Sequence, residues 1–322
     1  MLRLPTVFAL FALFALPALA PMAEARNFIK DQYPGSLLYS EPVEVIPNVW
    51  TAIGATQPQT YENAGHNNNL SFIVTGEGVV VVNGSASYLL ARALHDEIRK
   101  ITDQPVVLVI NENGQGHAML GNSYWAEQNV PILAHEDAIA EFDDKGLQNL
   151  ESARRRLKER AEGTWLAMPT ESFTDRKVIE LGGMRIEVLY LGPAHSPGDI
   201  SVWLPEEKLV IAGDIAFHER IPPIFENTIV ADWIETFEGP FTDLGAVYVI
   251  PGHGHPTNMA QVRRYTTDYL RHLRRVVGDY LEAGGDLSGA YYVDQSAYSW
   301  LHTFEELATR NAGRVFEQME FE

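Results

Sequence analysis

The sequence predicts an α/β fold in which helices cover β-sheets. Residues 79–82 are four consecutive valines, and a strand that is apolar at every position is buried on both of its faces. Leu90, Leu94 and Ile98 then recur at helical spacing before a second strand-like run at residues 105–111. Because strands and helices alternate in this way, we expect helices on the sheet faces and functional residues in the loops at the strand exits.

Hydrophobic periodicity and turn residues predict the remaining elements in chain order. The predicted strands are residues 44–53 (a pair broken at Pro47-Asn48), 70–75, 79–83, 105–111, 173–191 (two strands around Gly182-Gly183), 200–204, 209–211 and 247–250. The predicted helices are residues 90–101, 136–162 (one helix or a pair), 259–280 and 304–319, and residues 124–134 contain the end of a helix followed by a strand.

One predicted hairpin and one predicted strand place metal-ligating residue types at a sheet edge. Residues 200–204 and 209–211 flank a Pro-Glu-Glu-Lys turn, with His195 before the first strand and Asp214 after the second. A hairpin returns its outer ends to the same place, so these two side chains should lie close together. His253 follows another buried strand that ends in Pro-Gly. Separate loops therefore bring imidazole and carboxylate groups toward one site, as a metal centre requires.

Composition excludes several classes of partner and ligand. The 322-residue chain has a formal net charge of -19, which argues against binding to nucleic acid or to anionic membrane surfaces, since both require basic patches. It has no cysteine. A metal ion would therefore have to be held by histidine and carboxylate, and no disulfide framework is available. No pattern in the sequence predicts an oligomeric state.

Residues 1–25 have the features of a secretory signal peptide. Arg3 precedes an apolar run at residues 7–20, which is too short to span a bilayer stably. An uncleaved anchor is the alternative, but we expect cleavage after Ala25. The mature protein, residues 26–322, would then be one domain with C-terminal helices, located in the periplasm or secreted and free of the membrane.

Three motifs together resemble the metallo-beta-lactamase superfamily. They are Gly-Pro-Ala-His195-Ser-Pro-Gly, Ala-Gly-Asp214 and Pro-Gly-His253-Gly, and they occur in the family's order and strand contexts. The resemblance implies a four-layer αββα sandwich, with two mixed sheets face to face, helices outside and the site at one edge between the sheets.

A fourth motif departs from the family pattern. The family carries His-x-His-x-Asp-His after the strand that corresponds to residues 105–111, and Gly121-Asn122 sets the register here. In that register Asn113 and Gln115 occupy the positions of the two first-site histidines. His117 replaces the aspartate, and Ala118 replaces the last histidine. Carboxamides are weak ligands and alanine has no ligand atom, so a full dinuclear centre is not expected.

The resemblance implies that the remaining ligands hold one zinc ion rather than two. We expect His117, Asp214 and His253 as ligands with His195 nearby, a set that also suits iron. The protein would then hydrolyse an ester, thioester or amide (β-lactam-like) bond of a small-molecule substrate through a metal-bound hydroxide. Asp214 would bind the metal and orient the hydroxide. Proton transfer would fall to His117, which cannot perform it while bound to metal.

Two other functions remain open from the sequence. The replaced motif residues are compatible with an exported binding protein whose pocket groups only hydrogen-bond one another. An iron-dependent redox protein would use the same two histidines and one carboxylate. Three further histidines have an open assignment: His66 and His218 could border the pocket, and His255 could support His253.

Overall fold

The computed structural model describes residues 33–322, which form two mixed β-sheets and the helices that cover them. The predicted signal peptide, residues 1–25, lies outside the described residues. None of the helices in the described part of the chain is long and apolar enough to cross a membrane.

The first sheet has seven strands in sequential order. Its first four strands pair antiparallel, and the last three extend the sheet by parallel pairing. The strands are β1 (Val43–Ile46), β2 (Val49–Ala52), β3 (Leu70–Val74), β4 (Val79–Val82), β5 (Val106–Ile110), β6 (Ile132–His135) and β7 (Glu171–Phe173).

The second sheet has five strands in the order β12-β11-β10-β9-β8. All of its pairs are antiparallel except β11 with β12. The strands are β8 (Arg176–Leu181), β9 (Met184–Leu189), β10 (Ser201–Leu204), β11 (Leu209–Phe217) and β12 (Tyr248–His253).

In residues 33–322, nine α-helices cover the outer faces of the two sheets. They are α1 (Tyr88–Ile101), α2 (Gly116–Met119), α3 (Asn122–Glu127), α4 (Glu136–Leu157), α5 (Val230–Thr236), α6 (Met259–Tyr265), α7 (Thr267–Glu282), α8 (Leu287–Ala290) and α9 (Phe304–Met319). Short 3-10 helices lie at Lys158–Ala161 and Ser296–Tyr298, and a π-helical turn lies at Phe237–Phe241.

The hydrophobic core divides along these layers. Val80 and Ile110 of the first sheet pack against Val202 and Ile211 of the second, which forms the central layer of the core. Helices α1 and α3 pack on the outer face of the first sheet, and α5 to α9 pack on the second. Burial of apolar surface at about 25 cal/mol per Å² drives this layering. The predicted αββα sandwich is therefore confirmed.

Two predicted elements have different bounds in the structure. Strand β11 continues beyond the predicted residues 209–211 to Phe217, so Asp214 lies within the strand rather than after it. The predicted helix 259–280 is divided into α6 and α7 at Thr266. The hydroxyl of Thr266 accepts a hydrogen bond from the backbone N–H of Phe217, which links the break between α6 and α7 to β11. Hydrophobic periodicity along the sequence does not predict such a long-range contact.

Asn69 joins the start of β3 to the loop that carries His253. Its side-chain amide donates hydrogen bonds to the carbonyls of Pro251 and Gly254, both at 2.8 Å, and its oxygen accepts one from the N–H of Gly54 at 3.3 Å. Asn69 is 3% exposed, so these partners have no access to bulk water. The residue therefore fixes the backbone on both sides of His253.

We expect Asn69→Ala to lower the free energy of unfolding by about 2–4 kcal/mol, because it leaves buried backbone groups without partners. Urea titration of the purified variant and wild-type proteins would measure the difference in the free energy of unfolding. The exposed Gln128 is a suitable control, and Gln128→Ala should stay within about 0.5 kcal/mol of wild type. Equal stability of the two variants would contradict the role given to Asn69.

His66 is a buried histidine in the loop between β2 and β3. It is fully buried, its Nδ1 accepts a hydrogen bond from the N–H of Tyr39 at 2.8 Å, and burial lowers the pKa of its imidazole to about 4. The unfolded chain, with a histidine pKa near 6.5, binds this proton while the folded chain does not. The neutral ring of His66 therefore makes its full contribution to the free energy of unfolding above about pH 6.5, and this contribution is lost as the pH falls toward 4.

We expect His66→Asn to reduce the pH dependence of unfolding in this window. The asparagine oxygen can accept from Tyr39 N–H but does not titrate, so the slope should fall by up to about 1.4 kcal/mol per pH unit between pH 6.5 and 4. Urea titrations across that range, with chelator in every sample, would measure the slope. An unchanged slope would show that His66 does not carry this proton linkage.

Candidate metal centre

The candidate site lies at one edge of the sandwich, where β11 meets the end of β12 and the segment that follows β5. His117 lies on α2 in the segment that follows β5, Asp214 lies in β11, and His253 ends β12. Strands β11 and β12 are parallel neighbours, with Gly213 opposite Pro251. This register places Asp214 beside the end of β12.

His117, Asp214 and His253 form a compact trio. Each offers one ligand atom, these atoms all lie within 4.8 Å of one another, and all three residues are buried. Asp214 Oδ1 is 3.3 Å from Nε2 of His253, and Asp214 Oδ2 is 3.5 Å from Nε2 of His117. We call these residues the metal trio.

The tautomer of His253 follows from its second ring nitrogen. Nδ1 donates a hydrogen bond to the backbone carbonyl of Asn67, which can only accept. Burial lowers the pKa of His253 despite the opposing effect of Asp214, so the ring is neutral near pH 7 and Nε2 carries a lone pair. That lone pair faces Asp214 Oδ1, a buried oxygen without a hydrogen-bond partner in the described part of the chain. Two acceptors therefore face each other at a distance that a shared cation would satisfy.

Glu112 brings a second carboxylate to the site. It follows β5 directly and is 1% exposed, and its Oε1 is 3.0 Å from Nε2 of His117. Burial and the nearby charge of Asp214 raise the pKa of Glu112. Burial alone would lower the pKa of His117, but Asp214 and Glu112 outweigh it and raise that pKa.

Asp214 is the most strongly perturbed carboxylate of the site. Burial would raise its pKa, but the imidazoles of His253 and His117 outweigh burial and hold the pKa of Asp214 far below its usual range. The pKa of Asp199, which is also fully buried, shifts in the opposite direction. Its burial and the charge of Asp214 raise the pKa of Asp199 well above the ordinary value. Asp214 is therefore the carboxylate that stays ionised.

His195 lies beside Asp214, as the predicted hairpin requires. Its Nδ1 is 3.4 Å from Asp214 Oδ2, and strands β10 and β11 pair as expected. The Gln115 amide donates to the same Nδ1 at 2.9 Å, which leaves the proton on Nε2. Burial lowers the pKa of His195 to about 4. His195 is thus neutral and already bonded to an amide, and it stands outside the metal trio.

Asn113 provides a second amide at the depleted motif. Its Nδ2 lies 3.2 Å from Asp199 Oδ1 and 3.3 Å from Asp214 Oδ2, so it bridges two buried carboxylates. Together with Gln115, it donates hydrogen bonds where the family pattern would place two metal-binding imidazoles. The side chains of Asn113 and Gln115 are therefore already hydrogen-bonded within the protein.

Arg220 adds a buried positive charge next to the metal trio. It is 4% exposed, and its Nη1 lies 3.4 Å from Nδ1 of His253. Among residues 33–322 no carboxylate forms a salt bridge with it. Burial lowers the pKa of Arg220 to about 10, so the guanidinium remains charged near neutral pH.

A cavity of about 700 Å³ opens above the metal trio. This volume is in the range of small-molecule sites. Gln115 and Arg220 contribute polar groups to its wall, and Ile224, Phe225 and Leu307 contribute apolar ones. Arg310 and Arg314 lie on α9 at the same cavity.

The structure also places the other residues that sequence analysis considered or missed. His66 and His218 do not line the cavity, and His255 bonds to Glu219 at 2.8 Å. Glu112 and Arg220 were not predicted. Glu112 does carry a signal, since it is an acidic residue directly after a buried strand, where functional groups are expected.

The donor set fits a divalent metal ion. The metal trio offers two imidazoles and one carboxylate, which suit zinc or iron. The unpartnered Asp214 Oδ1 and the lone pair of His253 point toward each other. Gly252 makes room for this arrangement, because a Cβ there would lie 2.4 Å from Asp214 Oδ1.

Comparison with known proteins gives consistent matches. The family model described as metallo-beta-lactamase superfamily matches residues 117–253. A metallo-beta-lactamase type 2 of Bacteroides fragilis is 24% identical over 66% of this chain and 78% of its own length.

Solved structures share the fold. A metallo-beta-lactamase from Pontibacter korlensis matches 69% of this chain and 94% of its own, with 17% identity and a TM-score of 0.57. A stereoselective inverting sec-alkylsulfatase from Pseudomonas sp. matches 87% of this chain at 16% identity and a TM-score of 0.67, and this chain covers 50% of it. The family model over residues 117–253 and these relatives therefore support assignment to the metallo-beta-lactamase superfamily and, at family level, to metal-dependent hydrolases.

Proposed function

We propose that this protein is a hydrolase with a single metal ion, held by His117, Asp214 and His253, that cleaves an ester, thioester or amide bond of a small molecule. Zinc is the metal that we favour, because the ligands are nitrogen and oxygen donors and the chain contains no cysteine. The observation that carries the proposal is the metal trio itself, whose three buried residues each offer a ligand atom within 4.8 Å of the other two.

A bound metal ion would supply Lewis acidity and lower the pKa of a water molecule toward neutrality. The protein groups hold and orient the reactants around it. Asn113 donates to Asp214 Oδ2 and so fixes the plane of that carboxylate. The carbonyl of Asn67 fixes the tautomer and the ring orientation of His253.

The depleted motif supports one metal ion rather than two. The amide of Gln115 lies at one of the two first-site histidine positions and donates to Nδ1 of His195 at 2.9 Å. Asn113 likewise donates to Asp214 rather than offering a strong ligand atom. Hydrogen bonds from the uncharged amides of Asn113 and Gln115 therefore take the place of a first-site cation.

Arg220 supports a substrate that carries a negative group. Its guanidinium is buried beside the metal trio and lines the cavity without a carboxylate partner among the described residues. A buried charge of this kind is stabilised when an opposite charge binds next to it. The apolar side chains of Ile224, Phe225 and Leu307 would contact the remainder of the molecule.

The first test is metal content. Protein purified without chelators should contain one zinc ion per chain by elemental analysis, and His253→Ala should lower the metal affinity at least about tenfold because a ligand is lost. Hydrolysis of a panel of esters, thioesters and β-lactams, including anionic and neutral members, should fall in parallel. Dialysis against a strong chelator should remove both the metal and the activity.

His255→Ala is the matched control. This histidine lies two residues beyond His253, bonds to Glu219 and has a half-exposed side chain, so its variant should keep the full metal content. Unchanged metal content in His253→Ala would contradict the ligand assignment. Wild-type protein that takes up no added zinc would favour the binding-protein alternative, and iron at full occupancy would favour the redox alternative.

We further propose that the protein is exported and that residues 26–322 form its mature, single-domain form. The basic residue, the apolar run and the alanine-rich end of residues 1–25 support this proposal. N-terminal sequencing of protein recovered from the periplasm or medium should begin at Arg26. Recovery of the full-length chain in the cytoplasm alone would contradict export.

A further inference from the structure

We propose that Glu112 is a fourth ligand of the metal ion, so that the site contains two imidazoles and two carboxylates. This inference rests on the metal site of the proposed function and extends it to a residue outside the metal trio. Glu112 would join His117, Asp214 and His253 in holding the ion, and zinc can accept a fifth ligand, so the water molecule that the proposed hydrolysis requires could still bind.

The first argument is that this deeply buried acid has one imidazole, and no lysine or arginine, as its ion-pair partner in the described part of the chain. Glu112 is 1% exposed, and its only ion-pair partner among residues 33–322 is His117. Carboxylates this deeply buried are found paired or coordinated to metal, because desolvation of an isolated one costs several kcal/mol or more. Lysine and arginine do not provide that pairing here.

The second argument is that two carboxylates compete for one imidazole nitrogen. Nε2 of His117 lies 3.0 Å from Glu112 Oε1 and 3.5 Å from Asp214 Oδ2. One ring nitrogen carries at most one proton, so it can satisfy only one of the two acids. A divalent cation would balance both negative charges and would also accept the lone pairs of His117 and His253.

The third argument is that the backbone leaves space for the Glu112 carboxylate. Gly213 has φ of +61°, and a Cβ at this position would lie 2.6 Å from Glu112 Oε2. The backbone of Glu112 is held at both ends, because its N–H donates to Asn83 Oδ1 at 3.1 Å and its carbonyl accepts from Ile200 N–H at 2.9 Å. The fold thus holds this side chain against His117 of the metal trio.

A role as ligand can be separated from a role as orienting partner of His117. Glu112→Gln keeps the size of the side chain and its ability to accept from Nε2 of His117, but it replaces the charged ligand oxygen with a carboxamide. We expect zinc affinity, measured by competition with a chromophoric chelator, to fall about 100-fold or more. The visible absorption of the cobalt(II)-substituted protein should change in position and intensity, because the ligand set changes.

Two further variants make the test decisive. Glu112→Asp restores a carboxylate and should recover part of the affinity and the cobalt spectrum. Glu97→Gln changes another buried glutamate, on α1 and away from the site, and should leave both unchanged. Circular dichroism of the metal-free variants would confirm that each is folded.

The outcomes distinguish this inference from the proposed function. Wild-type protein that binds zinc, together with a Glu112→Gln variant that has the wild-type cobalt spectrum and less than about tenfold weaker affinity, would overturn the ligand role alone. Wild-type protein that binds neither zinc nor cobalt would overturn the proposed function and this inference with it. A Glu112→Asp variant no better than Glu112→Gln would also contradict the assignment.

Discussion

The ionised carboxylate of Asp214, buried among imidazoles, is the constraint on which the rest of the site depends. An isolated carboxylate in a protein interior is strongly disfavoured, so its surroundings must supply opposite charge or hydrogen bonds. His117, whose pKa the nearby carboxylates raise, lies 3.5 Å from Oδ2, and Asn113 adds a hydrogen bond to the same oxygen. The oxygen left over, Oδ1, points at the lone pair of His253. A bound cation would satisfy this single unmet requirement.

The departures from the family motif change which positions carry the side chains that could bind a metal. In the family pattern the second metal takes an aspartate and a histidine from adjacent positions, which are His117 and Ala118 here. This chain has moved the imidazole one position earlier, and Glu112 places a carboxylate against the same histidine. The first site has lost its imidazoles, and the amides of Asn113 and Gln115 bond the groups that remain. A chain can thus lose every residue of the His-x-His-x-Asp-His motif while its structure keeps the same kinds of ligand side chain in one place.

Much of the fold could be predicted because its determinants are local. The valine run of β4, the helical stripe of α1 and the β10–β11 hairpin depend on periodicity and turn residues over a few positions. The break at Thr266 could not be predicted, because it depends on a hydrogen bond to Phe217, 49 positions earlier. Glu112 and Arg220 were missed for a similar reason. A single acidic or basic residue in a loop has no period, and its importance comes only from what the fold places next to it.

The sequence alone determined the α/β layering, the meeting of His195 with Asp214 through a hairpin, and the candidate histidines at strand exits. Those conclusions depend on side-chain polarity and chain geometry, which residues close together in the sequence are enough to predict. Only the tertiary structure decided that Gln115 bonds His195, that His253 donates to Asn67, and that a second carboxylate lies 3.0 Å from His117. Tautomers, ionisation states and ligand sets depend on distances of a few ångströms between segments far apart in the chain, and folding alone sets those distances.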